Sequence, residues 1–133
     1  MNMEKYTIAL FGEAEKGEFH IPYLCRSLAQ LDDFFGNPPP ESQGLYYAVQ
    51  ALLFKRDLIF FRVKEEGYST EDYLLGLEAL EKQQLIHDIA AICTPGVGDR
   101  ELIQAINPVC EIYHSILITT ESDFYDYLTS LSK

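Results

Sequence analysis

The residues best suited to chemistry are acidic side chains in the turns that follow the predicted strands. They are Glu13, Glu65, Glu66, Asp99 and Glu121. In an open parallel sheet these turns meet at one edge, where ligands usually bind, and carboxylate oxygens suit a divalent cation. The group is therefore a candidate metal site, with Glu13, Asp99 and Glu121 as its ligands. The alternative, which we favour, is a solvated acidic rim with no bound metal or other cofactor.

The segment Thr94-Pro95-Gly96-Val97-Gly98-Asp99 is the best candidate for an anion site, because it follows a predicted strand and opens a helix. It matches neither nucleotide-binding motif, since it has no GxGxxG pattern and no Gly-Lys-Ser/Thr ending. The surrounding carboxylates would also repel a phosphate. We therefore interpret this segment as a turn that lets strand and helix approach closely.

Nucleophilic chemistry has little support in the sequence. The three cysteines, Cys25, Cys93 and Cys110, are far apart and odd in number, and no histidine lies at an obvious pairing distance. We predict that they are small buried hydrophobes in a reducing compartment. The three histidines are expected at the surface or at an interface, and the GxSxG elbow of serine hydrolases does not occur. The sequence therefore favours a protein that is not an enzyme.

Length and composition predict one domain over residues 1–133. Of the 133 residues 47% are apolar, which is enough to bury a core. The longest uncharged apolar runs, such as that from Leu58 to Phe61, are much shorter than the roughly 20 residues that span a bilayer. The start of the chain lacks the pattern of a secretory signal. We therefore expect a cytoplasmic protein that does not enter a membrane.

The charge balance argues against nucleic acid as a partner. The formal net charge is −11, from 21 acidic and 10 basic residues, and Lys55-Arg56 is the one basic pair in the sequence. Phosphate backbones require clustered Lys and Arg side chains. The excess acid promotes solubility and suppresses chance association. The alternative is an acidic face that docks a basic partner.

Apolar periodicity predicts an α/β fold. Strands are expected at 6–11, 58–63, 89–93 and 115–119, and helices at 41–54, 69–85, 99 to about 113 and 122–131. From Leu58 onward strands alternate with helices, which predicts a mainly parallel sheet in one three-layer domain with helices on both faces. We place the buried centre of the sheet at 58–63, 89–93 and 115–119. Residues 19–25, interrupted by Pro22, suit an edge strand or a hairpin arm.

Local signals indicate where the helices begin. Ser42 is expected to cap the helix at 41–54, and Ser69 and Asp72 have the spacing of a capping box. Asp99 is expected to cap the next helix, which Pro108 should kink because proline removes one backbone hydrogen bond. The Pro-rich segment 37–40 is interpreted as a stiff link between two helices, with a polyproline ligand for another protein as the alternative.

Several short phrases occur in a fixed order along the chain. The first strand leads into Gly12, Ala14, Lys16, Gly17 and Pro22, and a short helix ends in Phe34-Phe35-Gly36. Then follow Leu45-Tyr46-Tyr47-Ala48-Val49, Phe61-Arg62-Val63, Gly76-Leu77-Glu78-Ala79-Leu80 and Thr94-Pro95-Gly96-Val97. In this order, over roughly residues 6 to 128, the chain resembles the core of contractile tail sheath proteins, the polymers that wrap phage tails and related injection machines.

The resemblance implies a structural protein of a phage tail or contractile injection system. Its partners would be copies of itself or other components of the machine, and it would be incorporated in a virion or machine particle. Sheath proteins are normally much longer, with inserted domains where this chain has residues 64–68. The alternative function is a free-standing α/β binding or regulatory domain that uses the acidic strand-end rim for a divalent metal or a basic partner.

The termini suggest how such a domain would associate. Sheath polymers are held by terminal arms that add strands to neighbouring subunits. This chain has few residues before Tyr6 and almost none after Leu131. It therefore resembles a minimal sheath domain, and we expect the isolated chain to form at most weak, finite oligomers.

Two tyrosines are the candidate interface residues. Tyr46 follows the inward-facing Leu45, and Tyr125 follows the inward-facing Phe124, so helical phase directs both tyrosines away from the core. Tyrosine is favoured at protein interfaces. The alternative is that the tyrosines cover the edge of the core in a monomer.

Overall fold

A five-stranded sheet forms the middle layer of the fold. The computed structural model describes residues 7–84 and 86–130. The strands are β1 (Thr7–Gly12), β2 (Tyr23–Cys25), β3 (Asp57–Arg62), β4 (Ala91–Cys93) and β5 (Ile116–Ile118). The helices are α1 (Leu28–Phe35), α2 (Gly44–Leu53), α3 (Thr70–Lys82), α4 (Arg100–Tyr113) and α5 (Glu121–Ser130). The sheet is mostly parallel and has helices on both faces, which confirms the predicted α/β fold.

The strand order is β2-β3-β1-β4-β5, which places β1 at the centre of the sheet. β1 pairs in parallel with both β3 and β4, and Ile8 lies opposite Leu58 on one side and Ala91 on the other. β2 runs antiparallel to β3 at one edge, so the edge strand expected beside Pro22 is confirmed. β5 pairs in parallel with β4 at the other edge.

The prediction that residues 115–119 belong to the buried centre is wrong. β5 is an outer strand, and its Ile116 is 51% exposed, whereas all three residues of β4 are buried. The central place belongs to β1, because the chain passes from β1 to β3 on one side and then crosses to β4 on the other. A short apolar strand has the same composition at the centre and at an edge, so composition could not reveal this order.

The two faces of the sheet carry separate apolar layers. Ile8 and Leu10 of β1 belong to a cluster with side chains of α1, α2 and α5. Ala9 and Phe11 point to the opposite face and belong to a cluster with side chains of α3 and α4. Because both faces are covered, β1 and β3 are apolar almost without interruption, as buried parallel strands usually are.

The cap predicted for α4 forms, and the cap predicted for α2 does not. The Asp99 carboxylate accepts a hydrogen bond from the Glu101 amide at 2.9 Å. The prediction that Ser42 caps α2 is wrong, because α2 begins only at Gly44 and Gln43 is its N-terminal capping position. The Ser42 hydroxyl instead donates to the Pro39 carbonyl at 2.6 Å, within the Pro-rich link.

The capping box predicted at Ser69 and Asp72 is also wrong. Ser69 precedes α3, but its side chain makes no capping bond and pairs with the backbone of Glu65 instead. The Asp72 carboxylate accepts from the Lys64 amide at 2.8 Å. Short polar side chains readily form hydrogen bonds with the backbone of nearby turns. Here the side chains of Ser69 and Asp72 bond to the turn after β3 instead of to the amides at the start of α3.

Several boundaries differ from the prediction by a few residues. α3 ends at Lys82 instead of continuing to 85, and the strands expected at 89–93 and 115–119 are shortened to β4 and β5. Pro108 lies within α4 as expected. The predicted positions at Tyr6, Leu85 and Leu131 lie outside the described residues.

Replacing Ile92 with Asp should abolish cooperative unfolding. Ile92 is fully buried in β4, so an unpaired carboxyl there costs several kcal/mol, a large part of a typical domain stability of about 5–15 kcal/mol. The matched control is Ile116→Asp on the edge strand β5. Urea unfolding followed by circular dichroism should show a native-like transition for I116D and none for I92D. A soluble I92D protein that melts cooperatively would contradict this placement of the core.

Candidate functional site

The carboxyl ends of β1, β3 and β4 meet at a crevice along one edge of the sheet. Ligands of open α/β sheets usually bind where the strand order reverses, as it does here between β1 and β4. The crevice encloses about 280 Å³. It is lined by Glu13, Pro40, Glu41, Gln43, Glu65, Glu66, Tyr68, Pro95 and Gly96. Three of the five predicted rim carboxylates, those of Glu13, Glu65 and Glu66, therefore lie in this crevice.

The carboxylate of Glu66 already occupies the anion position of the crevice. Its Oε2 accepts hydrogen bonds from the amides of Glu13 and Gly44, both at 2.8 Å, and its Oε1 accepts from the Gln43 amide at 2.7 Å. Gln43 and Gly44 form the start of α2, where unpaired amides and the helix dipole favour a negative charge. The chain thus supplies its own anion at a place suited to a phosphate.

Glu13 and two glycines complete this contact between β1 and α2. The Glu13 carboxylate accepts from the Glu66 amide at 2.9 Å, so the two glutamates bind each other's backbone. A Cβ atom on Gly12 would lie 2.6 Å from the Gly44 Cα, closer than real side chains approach. The absence of side chains at both positions therefore lets the end of β1 and the start of α2 touch.

The structure does not assemble the predicted metal ligands into one site. Glu13 binds a backbone amide, and Asp99 caps α4. Glu121 lies on α5, where it lines grooves beside Tyr46 and Tyr47. Within residues 7–84 and 86–130, no three His, Cys, Asp or Glu side chains form a group that could hold a metal ion. At the crevice, the Glu13 and Glu66 carboxylates bind backbone amides instead.

The segment after β4 forms a turn whose amides are largely paired. The Gly96 amide donates to the Thr119 carbonyl at 3.3 Å, and the Val97 amide donates to the Thr94 carbonyl at 3.2 Å. Gly96 has a φ of 83°, and its carbonyl oxygen would lie 2.5 Å from a Cβ atom on Gly67. These contacts agree with the interpretation of the segment as a close-packing turn.

His20 and Asp72 form a hydrogen-bonded pair that the sequence did not indicate. The His20 Nε2 lies 2.6 Å from the Asp72 Oδ1, and the Lys64 amide donates to Asp72 Oδ2. Burial disfavours the charged form of Asp72, which is 5% exposed, but these hydrogen bonds outweigh burial and hold the pKa of Asp72 below its usual value. The pair joins the loop before β2 to the start of α3 across 52 residues, so no local pattern could predict it.

The three cysteines are buried and have free thiols, as predicted. Burial raises the pKa of Cys25 to about 12 and the pKa of Cys110 to about 11. The pKa of Cys93 is also raised, by burial and then by Cys110. Because the thiolate is the nucleophilic form, these positions do not activate the thiols.

Tyr46 and Tyr125 point away from the core, as helical phase predicted. They are 54% and 62% exposed. Tyr46 lies where three grooves meet. An apolar groove runs between α1 and α2, encloses about 360 Å³ and has Leu28, Leu45 and Val49 in its walls.

The other two grooves lie on the opposite side of Tyr46. One borders the Pro-rich link, and the other lies between α2 and α5. Both share Tyr47, a buried residue whose ring stacks on Phe124 with the centroids 4.5 Å apart. The Tyr47 hydroxyl has no hydrogen-bond partner among the described residues. We call the outer surface of α1, α2 and α5, together with the link at 37–40, the tyrosine face.

Comparisons with known proteins do not identify a family for the chain. No family model, curated protein or solved structure matches the chain. The resemblance to tail sheath proteins therefore stays a prediction. Across residues 7–84 and 86–130, none of the helices has both the length and the apolar character needed to cross a membrane.

Replacing Glu66 with Ala should destabilise the fold, whereas replacing its neighbour Glu65 should not. Glu66→Ala leaves three amides around the start of α2 without their acceptor, and we expect a loss of about 2 kcal/mol in the free energy of unfolding. Glu65 is exposed, so Glu65→Ala is the matched control. Urea titrations measure both variants. Equal midpoints for E66A and E65A would show that Glu66 does not hold α2.

Acid should weaken the fold partly through Asp72. The pKa of Asp72 in the folded chain lies below its unfolded value of about 3.9, so its stabilising contribution is complete above that value and is lost as the pH falls through the folded pKa. Asp72→Asn removes this contribution. Its free energy of unfolding should therefore fall less steeply than that of the wild type between about pH 5 and pH 2. Asp33→Asn, at an exposed position of α1, is the control; identical slopes for D72N and the wild type would refute the prediction.

Proposed function

We propose that this protein is a non-enzymatic assembly component that binds another protein through the tyrosine face. The observation that carries this proposal is Tyr46, a large aromatic side chain that is more than half exposed where three grooves meet. Interfaces are enriched in tyrosine, and a few aromatic anchors beside pockets often carry most of the binding energy. Tyr46 has both the residue type and the surroundings of such an anchor.

The residues around Tyr46 support a preformed docking surface. Leu28 and Tyr125 are also exposed and border the same grooves. Proline fixes φ, so Pro38 and Pro39 restrict the conformations of the link that borders Tyr46. A surface that is already ordered loses less conformational entropy when a partner binds.

The rival function, a metal- or ligand-binding domain that uses the acidic strand-end rim, has less support. The carboxylates of Glu13 and Glu66 are engaged by backbone amides in the crevice. An anionic ligand would have to displace Glu66, and this would release the start of α2. We therefore favour the helical layer over the strand ends as the functional surface.

The resemblance to tail sheath cores leads to a more specific form of the proposal. In this form the chain is a minimal sheath-like domain of a phage tail or contractile injection system, and its partners are copies of itself or other components of the machine. A sheet with helices on both faces is compatible with this role. The same architecture serves many functions, so the tyrosine face carries the proposal rather than the fold.

Site-specific photo-crosslinking tests the proposal in cells that produce the protein naturally. A photoreactive phenylalanine analogue replaces Tyr46 or Tyr125. In matched controls it replaces Leu74 or Ile112, which are exposed on α3 and α4 in the opposite layer. We expect a discrete cross-linked protein from the tyrosine positions and none from the controls, because the partner should cover only the tyrosine face.

Mass spectrometry of the cross-linked product then shows whether the partner is a second copy, a machine component or another protein. Equal yields from both layers would indicate chance contact instead of docking. An absence of adducts at Tyr46, in cells where the protein is folded and abundant, would likewise contradict the proposed function.

A further inference from the structure

The helices of the tyrosine face carry acidic residues without basic ones. The sequences of α1, α2 and α5 contain no Lys, Arg or His. Their acidic residues are Asp32, Asp33, Glu121, Asp123 and Asp126. All of these are exposed, and within residues 7–84 and 86–130 none of them forms a salt bridge. The helices of the opposite layer, α3 and α4, are also acidic, but they include the cations Lys82 and Arg100.

Two of these carboxylates border the grooves around Tyr46. Asp32 lines the apolar groove between α1 and α2, and Glu121 lines both grooves on the other side of Tyr46. Burial and then the charge of Glu121 raise the pKa of Tyr47 to about 12, so the negative charge reaches the floor of these grooves. The apolar centre of the face thus has negative charge on both sides.

This charge pattern discriminates among possible occupants. A second copy of the same face would bring like charges together without a Lys or Arg on these helices to pair with them. A neutral apolar segment would desolvate the carboxylates without offering them a hydrogen-bond donor or a cation, which is unfavourable. A segment with apolar side chains at its centre and cations at its margins satisfies both the grooves and the charges.

We propose that the partner docks a basic amphipathic helix on the tyrosine face. Its apolar side chains would enter the groove between α1 and α2, and its Lys or Arg side chains would lie against Asp32 and Glu121. A helix in a groove presents apolar anchors at i, i+3, i+4 and i+7 with polar residues to either side. This pattern matches an apolar groove that has Asp32 in its wall and Glu121 beyond Tyr46. This inference rests on the proposed function and adds the chemistry of the partner.

A designed peptide tests this chemistry with the full chain. The probe is a fluorescent helical peptide of about 16 residues with Leu at i, i+3, i+4 and i+7 and Lys at most other positions. One control peptide has Glu in place of Lys, and a second has the composition of the probe in an order that destroys the apolar stripe. Fluorescence anisotropy should show binding of the probe, weakened by salt, and no comparable binding of either control.

Variants of the protein then locate the binding site. Tyr46→Ser should weaken binding about tenfold or more, whereas Ile112→Ser on α4 should leave it unchanged. The double variant Asp32→Asn/Glu121→Gln should weaken binding about tenfold and reduce its salt dependence. Its matched control is Glu78→Gln/Glu111→Gln, which makes the same change in net charge at exposed positions of the opposite layer. Thermal unfolding checks that each variant is folded.

The outcomes separate this inference from the proposed function. Failure of the basic peptide to bind, or binding that Tyr46→Ser and the acidic double variant leave unchanged, would overturn the inference. If cross-linking at Tyr46 still captures a partner in that case, the proposed function stands and the chemistry assigned to the partner is wrong. If neither experiment detects binding at this face, both fail.

Discussion

The hydrogen bonds between the Glu66 carboxylate and the start of α2 hold this helix at the end of the central strand. Amides from two separate segments, at Glu13 and at Gln43 and Gly44, converge on this single side chain. Gly12 and Gly44 have no side chains, so the backbone of β1 can touch the first residue of α2. An anion at a helix start is stabilised by the free amides and by the helix dipole. The central strand and α2 are therefore joined by electrostatics and close packing at the same point.

The position of α2 connects the strand-end crevice to the tyrosine face. One end of the helix is bound at the crevice, and its two adjacent tyrosines then point in different directions. Tyr47 packs inward against Phe124 of α5, which joins the two helices, while Tyr46 extends outward between the grooves. The contact that fills the usual ligand position thus also orders the exposed surface. Under the proposed function, the strand ends serve the structure and the helices supply the surface for recognition.

The sequence predicted those features that depend on the residues of one element. Apolar runs and helical periodicity indicated the strands, the helices and the outward direction of Tyr46, and the residue type at the helix start indicated the cap at Asp99. They could not indicate neighbours in space, because periodicity shows which side of an element is buried but not what covers it. The edge position of β5 depends on the crossover after β3, and the bond from Glu66 to the Glu13 amide spans 53 residues. Likewise, the predicted capping box does not form, because the side chains of Ser69 and Asp72 accept hydrogen bonds from backbone amides of the turn at 64–69.

The acidic excess has two interpretations in the sequence, solubility and the docking of a basic partner, and under the proposed function the same carboxylates serve both. An exposed aromatic surface with apolar grooves is a hazard in an isolated chain, because copies can associate through it. The exposed carboxylates of Asp32 and Glu121, which border the grooves around Tyr46, oppose such contacts, since two copies would repel each other at this face. A cationic partner experiences the opposite effect and is attracted before the apolar contacts form. Charge would thus select the partner, while Tyr46 and the apolar groove would supply most of the affinity.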